Sequence, residues 1–179
     1  ICRHQLNTSR FCSTARDWFG MVGRNNEDRG RMNIGGYKMT TALFTNQVLT
    51  QATPATVRAL LADPLNLPAW ATAITTVKPT ATGYVLQRSG SAFDQPEQLQ
   101  VTVGADQVVY HSEGGQLGYE IVFTMTPLAE RTAVQEEVSL TTTPPSWLPL
   151  PLVKPVMQRD FQRKLGQSAT LAEEQPNDD

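Results

Sequence analysis

Glu136 stands out in this sequence as an acidic residue in a stretch, Thr132–Leu140, that otherwise has the pattern of a β-strand. Side chains alternate between the two faces of a strand, and Glu136 shares its face with Val134 and Val138. A regular strand would therefore direct this carboxyl group into the interior. Because burying an unpaired charge is costly, the group needs a partner or must keep its proton.

Arg88 and His111 are the candidate partners of Glu136. If they meet inside the protein, the three residues could orient the polar end of a ligand or transfer a proton, so they are the candidate catalytic residues. The alternative is that a β-bulge turns Glu136 outward, or that it lies at a solvated cavity mouth and has no chemical role.

Other catalytic chemistry has little support in the sequence. Beyond Met39, His111 is the only histidine and there is no cysteine, so we expect neither a metal site nor thiol catalysis. Ser112 follows His111 directly, and adjacent strand residues face opposite ways, which disfavours a nucleophilic triad. No nucleotide-binding motif occurs, and we expect no cofactor.

The composition is that of a globular domain. The 179 residues are 40% hydrophobic and 18% charged, with a net charge of −2. A single domain with a sizeable core is the natural expectation, and an acidic domain is a poor candidate for binding nucleic acid. No apolar run approaches the ~18 residues of a membrane span. We therefore expect a soluble, cytoplasmic protein.

The charge is divided unevenly at Met39. Residues 1–38 carry seven Lys or Arg against three acids, a net charge of +4, and the remainder carries eight against fourteen, a net charge of −6. The codons of Gly35-Gly36-Tyr37-Lys38-Met39 can read GGA-GGN-TAY-AAR-ATG, which resembles a bacterial ribosome-binding sequence before a start codon. We therefore interpret residues 1–38 as a translated leader, with a disordered tail as the alternative. The domain is predicted over residues 39–174, followed by a disordered tail over 175–179.

A long amphipathic helix is predicted from Trp147 to about Glu173. Its apolar residues recur at steps of three or four: Leu150, Val153, Met157, Phe161, Leu165, Ala169 and Ala172. Asp160 and Lys164 form a favourable pair one turn apart, and Arg159, Arg163 and Lys164 are predicted to form a solvated basic face.

The region before this helix has the pattern of strands. After a first strand at Ala42–Thr50, Thr53 and Pro54 are typical of a helix start, and Pro64 limits that helix to about Asp63. A second helical turn ends at Pro68-Ala69-Trp70. Six strand candidates follow: Ala73–Lys78, Gly83–Ser89, Glu97–Val103, Gln107–Glu113, Leu117–Met125 and Thr132–Leu140. The short gaps between them require antiparallel hairpins.

This order of elements, with its helix–Pro–Trp junction, resembles the helix-grip fold of the START-like (SRPBCC) superfamily. That superfamily includes START lipid-transfer domains, the birch-pollen allergen group and polyketide cyclase/dehydrase-like proteins. The resemblance covers Thr41–Glu173. It implies an α+β fold in which a curved antiparallel sheet of about seven strands is covered by the long helix.

The resemblance also implies a deep cavity between the sheet and the long helix. The candidate wall residues are Trp70, Leu117, Tyr119, Ile121, Phe123, Met125, Glu136, Met157, Phe161 and Leu165. The expected partner is then a hydrophobic small molecule or a lipid, which the protein binds or transports. A cyclase/dehydratase-like enzyme is the alternative function. The alternative is plain packing, because an apolar row on a strand is more often ordinary core than cavity wall.

Overall fold

The structure, a computed structural model, describes residues 42–89, 96–115, 117–146 and 148–175. The predicted leader over residues 1–38, Trp147 and all but the first residue of the predicted tail lie outside the described residues. The whole fold described below comes from the part of the chain after Thr41.

Seven antiparallel strands form one sheet in the order β1-β7-β6-β5-β4-β3-β2. The strands are β1 Ala42–Thr50, β2 Ile74–Thr80, β3 Gly83–Arg88, β4 Glu97–Val103, β5 Gln107–Glu113, β6 Tyr119–Leu128 and β7 Arg131–Leu140. Consecutive strands from β2 to β7 are neighbours, whereas β1 pairs with β7. The predicted meander and the α+β fold class are confirmed.

The helices are α1 Pro54–Ala62, α2 Leu67–Trp70 and α3 Leu150–Glu173, with a 3-10 turn at Pro64–Asn66 before α2. Thr53 Oγ1 accepts a hydrogen bond from Thr56 N at 3.1 Å, so Thr53 is the N-cap of α1. The helix ends at Ala62 because Asp63, the residue before a proline, takes an extended conformation.

Strand β6 extends further than the sequence predicts. Pro127 and Leu128, which were expected in a turn, pair with β7, and the turn lies at Ala129, which has a φ of 30°. The ladder with β5 ends at Thr124, so β6 beyond this point has a strand on one side only. Pro127 is tolerated there because proline has no backbone N–H to donate, and at this position β6 has no β5 residue beside it to accept one.

The core lies on one face of the sheet. Inward residues of β5 and β6 pack against α1 and α2; they include Val108, Tyr110, Ile121 and Phe123, all buried. The Tyr110 hydroxyl donates a hydrogen bond to the carbonyl of Leu61, which ties the sheet to the end of α1. The short helices therefore close one part of the concave face.

Helix α3 lies along the edge strand β1. The side-chain amides of Gln158 and Gln162 donate to the carbonyls of Thr45 (3.3 Å) and Gln47 (3.0 Å). These bonds cover backbone acceptors that an edge strand would otherwise leave unpaired.

The two halves of α3 differ in burial. The buried residues of the helix all belong to its C-terminal half: Lys164, Leu165, Ser168, Ala169 and Ala172. Residues 150–163 are half-buried or exposed. Pro155, in this N-terminal half, cannot donate the helical hydrogen bond to the carbonyl four residues earlier. The C-terminal half therefore anchors the helix.

Candidate functional site

A cavity of about 40 Å³ lies between the sheet, α2 and α3. Its wall is mostly apolar, but it also carries two cationic groups, a carboxyl group and two phenols. The lining residues are Leu67, Trp70, Ala71, Ile74, Leu86, Arg88, Leu99, Tyr110, Tyr119, Ile121, Phe123, Glu136, Phe161 and Lys164. At this volume it has room for a few water molecules, whereas sites for drug-sized ligands are usually ~300–1,000 Å³.

Six of the predicted wall residues line this cavity: Trp70, Tyr119, Ile121, Phe123, Glu136 and Phe161. The other four are placed elsewhere. Met125 and Leu165 are buried in the core without lining the cavity, Met157 is partly buried against the core, and Leu117 precedes β6.

One polar cluster, which we call the arginine centre, consists of Arg88, Glu97, Tyr119 and Ser112. Arg88 donates from Nε to Glu97 Oε1 at 2.7 Å and from Nη2 to Glu97 Oε2 at 3.1 Å. It also donates from Nη2 to the Tyr119 hydroxyl at 2.7 Å. Tyr119 and Ser112 in turn donate to Glu97 Oε2, at 3.0 and 3.2 Å. The buried carboxylate is thus paired and well hydrogen-bonded.

The protonation states in the arginine centre follow from these contacts. Burial raises the pKa of Tyr119 to about 12, although the charge of Arg88 opposes the change. Burial alone would lower the pKa of Arg88, but Tyr119 and Glu97 raise it above its ordinary value. At neutral pH the phenol keeps its proton and the guanidinium keeps its charge.

A second cluster, the glutamate centre, is formed around Glu136, whose side chain is only 1% exposed. Asn46 Nδ2, on β1, donates to Glu136 Oε2 at 2.9 Å and to the carbonyl of Gln158 at 3.3 Å. Burial raises the pKa of Glu136 to about 7, while the Asn46 hydrogen bond and the charge of Lys164 lower it. Glu136 is therefore present in both protonation states near neutral pH, which suits a general acid or base.

Lys164 approaches the same cavity from α3. Its Nζ lies 2.6 Å from Asp160 Oδ2 and 5.1 Å from the centre of the Phe161 ring. The predicted Asp160–Lys164 pair is thus present. The prediction that Lys164 belongs to a solvated face is wrong, because this residue is 8% exposed and its stem packs beside Phe161.

The prediction that Arg88 or His111 pairs with Glu136 is also wrong. Arg88 reaches the cavity but is bound to Glu97. His111 points to the other face of the sheet, since the inward residues of β5 are Val108, Tyr110 and Ser112. On that face His111 Nε2 lies 2.9 Å from Glu113 Oε1, and His111 Nδ1 lies 3.7 Å from Glu120 Oε2.

Glu97 and Asn46 are the site residues that the sequence interpretation missed. Glu97 shares the strand phase of Leu99, so the alternation that directed attention to Glu136 also applied to it. Asn46 has the same phase as Phe44, which is buried. Its role depends on the register of β1 against β7, in which Asn46 is opposite Glu136.

The two centres lie at different places along β6. Phe123 is opposite Glu136 in the β6–β7 pairing, and Tyr119 lies four residues earlier on the same strand. Four residues of strand span roughly 13 Å. Ile121 and the ring of Phe123 separate the centres, so a ligand that touched both would need an apolar body between two polar ends.

Metal binding and membrane spanning find no support within the described ranges. No three His, Cys, Asp or Glu side chains there lie close enough together to hold a metal ion. No helix in that part of the chain is long and apolar enough to cross a membrane.

A seven-stranded antiparallel sheet packed against a long C-terminal helix, with a cavity between them, is the architecture of the START-like class of proteins. The chain belongs to the family described as "Polyketide cyclase / dehydrase and lipid transport", whose model matches residues 41–173. The predicted superfamily is thereby confirmed. No curated protein matches the chain significantly in sequence.

Solved structures with the same fold come from several sources. A START superfamily protein from Mycobacterium smegmatis is 18% identical, with a TM-score of 0.62 over 73% of this chain and 96% of that one. A conserved protein from Geobacillus kaustophilus is 16% identical, with a TM-score of 0.59 over 72% and 93%. The ZhuI aromatase/cyclase from Streptomyces sp. R1128 is 12% identical, with a TM-score of 0.57 over 73% and 92%. At these identities the likeness is one of fold.

Proposed function

We propose that this protein binds a predominantly apolar small molecule in the cavity between the sheet and α3. The observation that carries this proposal is the wall itself, in which apolar side chains surround a few polar groups at defined positions. Such a combination is typical of ligand sites, where apolar area supplies affinity and sparse polar groups fix orientation. The family includes both lipid carriers and cyclases, which is consistent with this role.

Binding of anything larger than a few water molecules requires the cavity of about 40 Å³ to widen. The N-terminal half of α3 is the part of the wall that we infer moves, since it has no buried residue, contains Pro155 and is held to β1 by side-chain hydrogen bonds of Gln158 and Gln162. Phe161 belongs to this half and lines the cavity. Its ring packs edge to face against that of Phe44, with ring centroids 5.4 Å apart. Displacing this half of the helix therefore enlarges the site directly.

The proposed ligand binding is tested by native mass spectrometry of the protein purified from its own host, followed by extraction and identification of bound molecules. We expect a reproducible small-molecule adduct. The matched control is Phe161→Trp, which adds bulk at the wall and should reduce the adduct. Persistent absence of any adduct, together with no binding across a library of apolar compounds, would contradict the proposal.

A second candidate function is proton transfer to or from the bound molecule, as in a cyclase or dehydratase. The titration of Glu136 near neutrality favours it, because a group with such a pKa can donate and accept protons under physiological conditions. In this role Glu136 is the acid or base, and the positive charge of Lys164 lowers its pKa. The arginine centre holds the far end of the substrate.

Glu136→Gln separates the two candidates. Gln keeps an oxygen that can accept the Asn46 hydrogen bond, so a carrier should still retain its ligand. An enzyme should lose conversion of that ligand, with turnover in the wild type following a pKa near 7. Glu137→Gln is the matched control, because Glu137 is the next residue of β7 and faces the opposite side of the sheet. Conversion that survives in Glu136→Gln would eliminate the enzymatic role of this residue.

A further inference from the structure

Trp70 carries a polar group that the fold leaves without a partner. The residue ends α2, is 4% exposed and lines the cavity. Its ring meets that of Phe123 edge to face, with centroids 6.5 Å apart. Within the described part of the chain no atom accepts a hydrogen bond from the buried Trp70 Nε1. Buried N–H groups almost always have an acceptor, so this one indicates where a ligand atom belongs.

The charged groups of the cavity are in a different situation, because each cation already contacts a carboxylate. Arg88 lies 2.7 Å from Glu97, and Lys164 lies 2.6 Å from Asp160. Asp160 also pairs with the exposed Arg163, and Glu136 adds negative charge beside Lys164 when it is ionised. A ligand carboxylate would therefore compete with Glu97 and Asp160 for these cations, and it would lose its hydration in the cavity.

We propose that Trp70 Nε1 donates the hydrogen bond that orients the ligand, and that the ligand presents an uncharged oxygen acceptor, such as a ketone, to it. This inference rests on the proposed function, since it specifies the chemistry of the molecule in that same cavity. It excludes two classes of apolar ligand: pure hydrocarbons, which leave the indole N–H unpaired, and carboxylates, which bring an uncompensated charge.

The position of Trp70 also defines the geometry of recognition. Phe123 touches the Trp70 ring and is opposite Glu136 in the β6–β7 pairing, so the indole and the carboxyl group flank the same phenylalanine. Paired residues on neighbouring strands have Cβ atoms about 5 Å apart on the same face of the sheet. Trp70 and Glu136 thus border the same cavity near Phe123, so a ligand bound to the indole lies close to the carboxyl group.

Three probes of nearly the same shape test the inference: acetophenone, its hydrocarbon isostere α-methylstyrene, and benzoate. Binding is measured by titration, with the indole ¹H–¹⁵N signal of Trp70 followed by NMR. The signal is assigned by its loss in Trp70→Phe. We expect acetophenone to shift the indole proton downfield and α-methylstyrene to leave it nearly in place. Benzoate should bind more weakly than acetophenone.

The variant Trp70→Phe supplies the quantitative comparison. It removes the donor and keeps an aromatic ring, so the preference for acetophenone over α-methylstyrene should fall roughly two- to twelvefold, the range expected for one net hydrogen bond. If this variant does not fold, the wild-type indole signal, assigned instead through its contacts with the Phe123 ring, still gives the result.

The outcomes separate the inference from the function on which it rests. An unchanged preference in Trp70→Phe, an indole signal that acetophenone does not move, or benzoate binding as tightly as acetophenone would each overturn the inference while leaving a ligand cavity in place. If none of the three probes binds, the inference fails, whereas the proposed function fails only if the native adduct and binding across the apolar library are absent as well.

Discussion

Glu136→Gln should change how the stability of this protein depends on pH. In the folded protein the pKa of Glu136 is about 7, against an ordinary value of 4.5. At 1.36 kcal/mol for each pH unit, that difference corresponds to roughly 3 kcal/mol. The folded state holds the proton more tightly than the unfolded chain, so stability is highest below the ordinary value. It falls as the pH rises from 4.5 to about 7, and beyond that the loss is complete.

The Gln variant lacks this titration, so its stability relative to the wild type should rise with pH. Between about pH 5 and about pH 8 the difference in the free energy of unfolding should shift in favour of the variant by roughly 2.5 kcal/mol. Urea unfolding at several pH values measures this difference directly. All other ionisable groups are common to both proteins and cancel in the comparison.

The control for this experiment is Glu137→Gln, which removes the same charge from the neighbouring, opposite-facing position of β7. Its stability should stay parallel to that of the wild type over the whole range. If Glu136→Gln also runs parallel to the wild type, the carboxyl group titrates as an exposed one does, and the assignment of a protonated interior carboxyl group is refuted.

Three further predictions follow from the contacts. Arg88→Met leaves Glu97 buried without its cation and should destabilise the protein by about 3 kcal/mol in urea unfolding, and Glu97→Met in the same chain should restore most of that loss; no restoration would show that the two act independently. Thr53→Ala removes the N-cap of α1 and should cost about 1 kcal/mol by the same assay, whereas a cost near zero would mean that the cap contributes nothing. Amide hydrogen exchange should be faster over residues 150–163 than over residues 164–173, because only the second segment is anchored by buried side chains; uniform protection along α3 would argue against opening at its N-terminal half.

The fold was predictable because each element carries its own local signal. Local signals of this kind act over a few residues: the turn residues between the strands, Thr53 before α1 and Pro64 after that helix. The strands Glu97–Val103 and Gln107–Glu113 accordingly have the predicted bounds. Two strands run beyond their predicted ends, β2 to Thr80 and β6 to Leu128, because these residues pair with the neighbouring strand. Such pairing is a property of the sheet, which the local sequence of either strand does not contain.

The site was predictable in part, for the same reason. Strand alternation directs Glu136 inward, but it does not say which residue of another strand faces it. Its partner Asn46 follows from the β1–β7 register, which joins residues 90 positions apart in sequence. The arginine centre is similar, because Arg88 meets Glu97 only when β3 and β4 pair. Long-range pairing therefore decides the partners, while local pattern decides the faces.

The placement of the buried polar groups bears on whether the cavity is a binding site or an imperfection of the core. A leucine or methionine at position 136 would pack at no electrostatic cost, whereas the carboxyl group costs roughly 3 kcal/mol once it is ionised. Arg88, Glu136 and Lys164, together with the unpaired indole N–H of Trp70, all border one cavity. Titratable and polar groups that converge on a single cavity are typical of functional sites. This concentration supports the proposed ligand site, and the indole N–H, which has no acceptor among the described residues, is the group that we propose a ligand contacts.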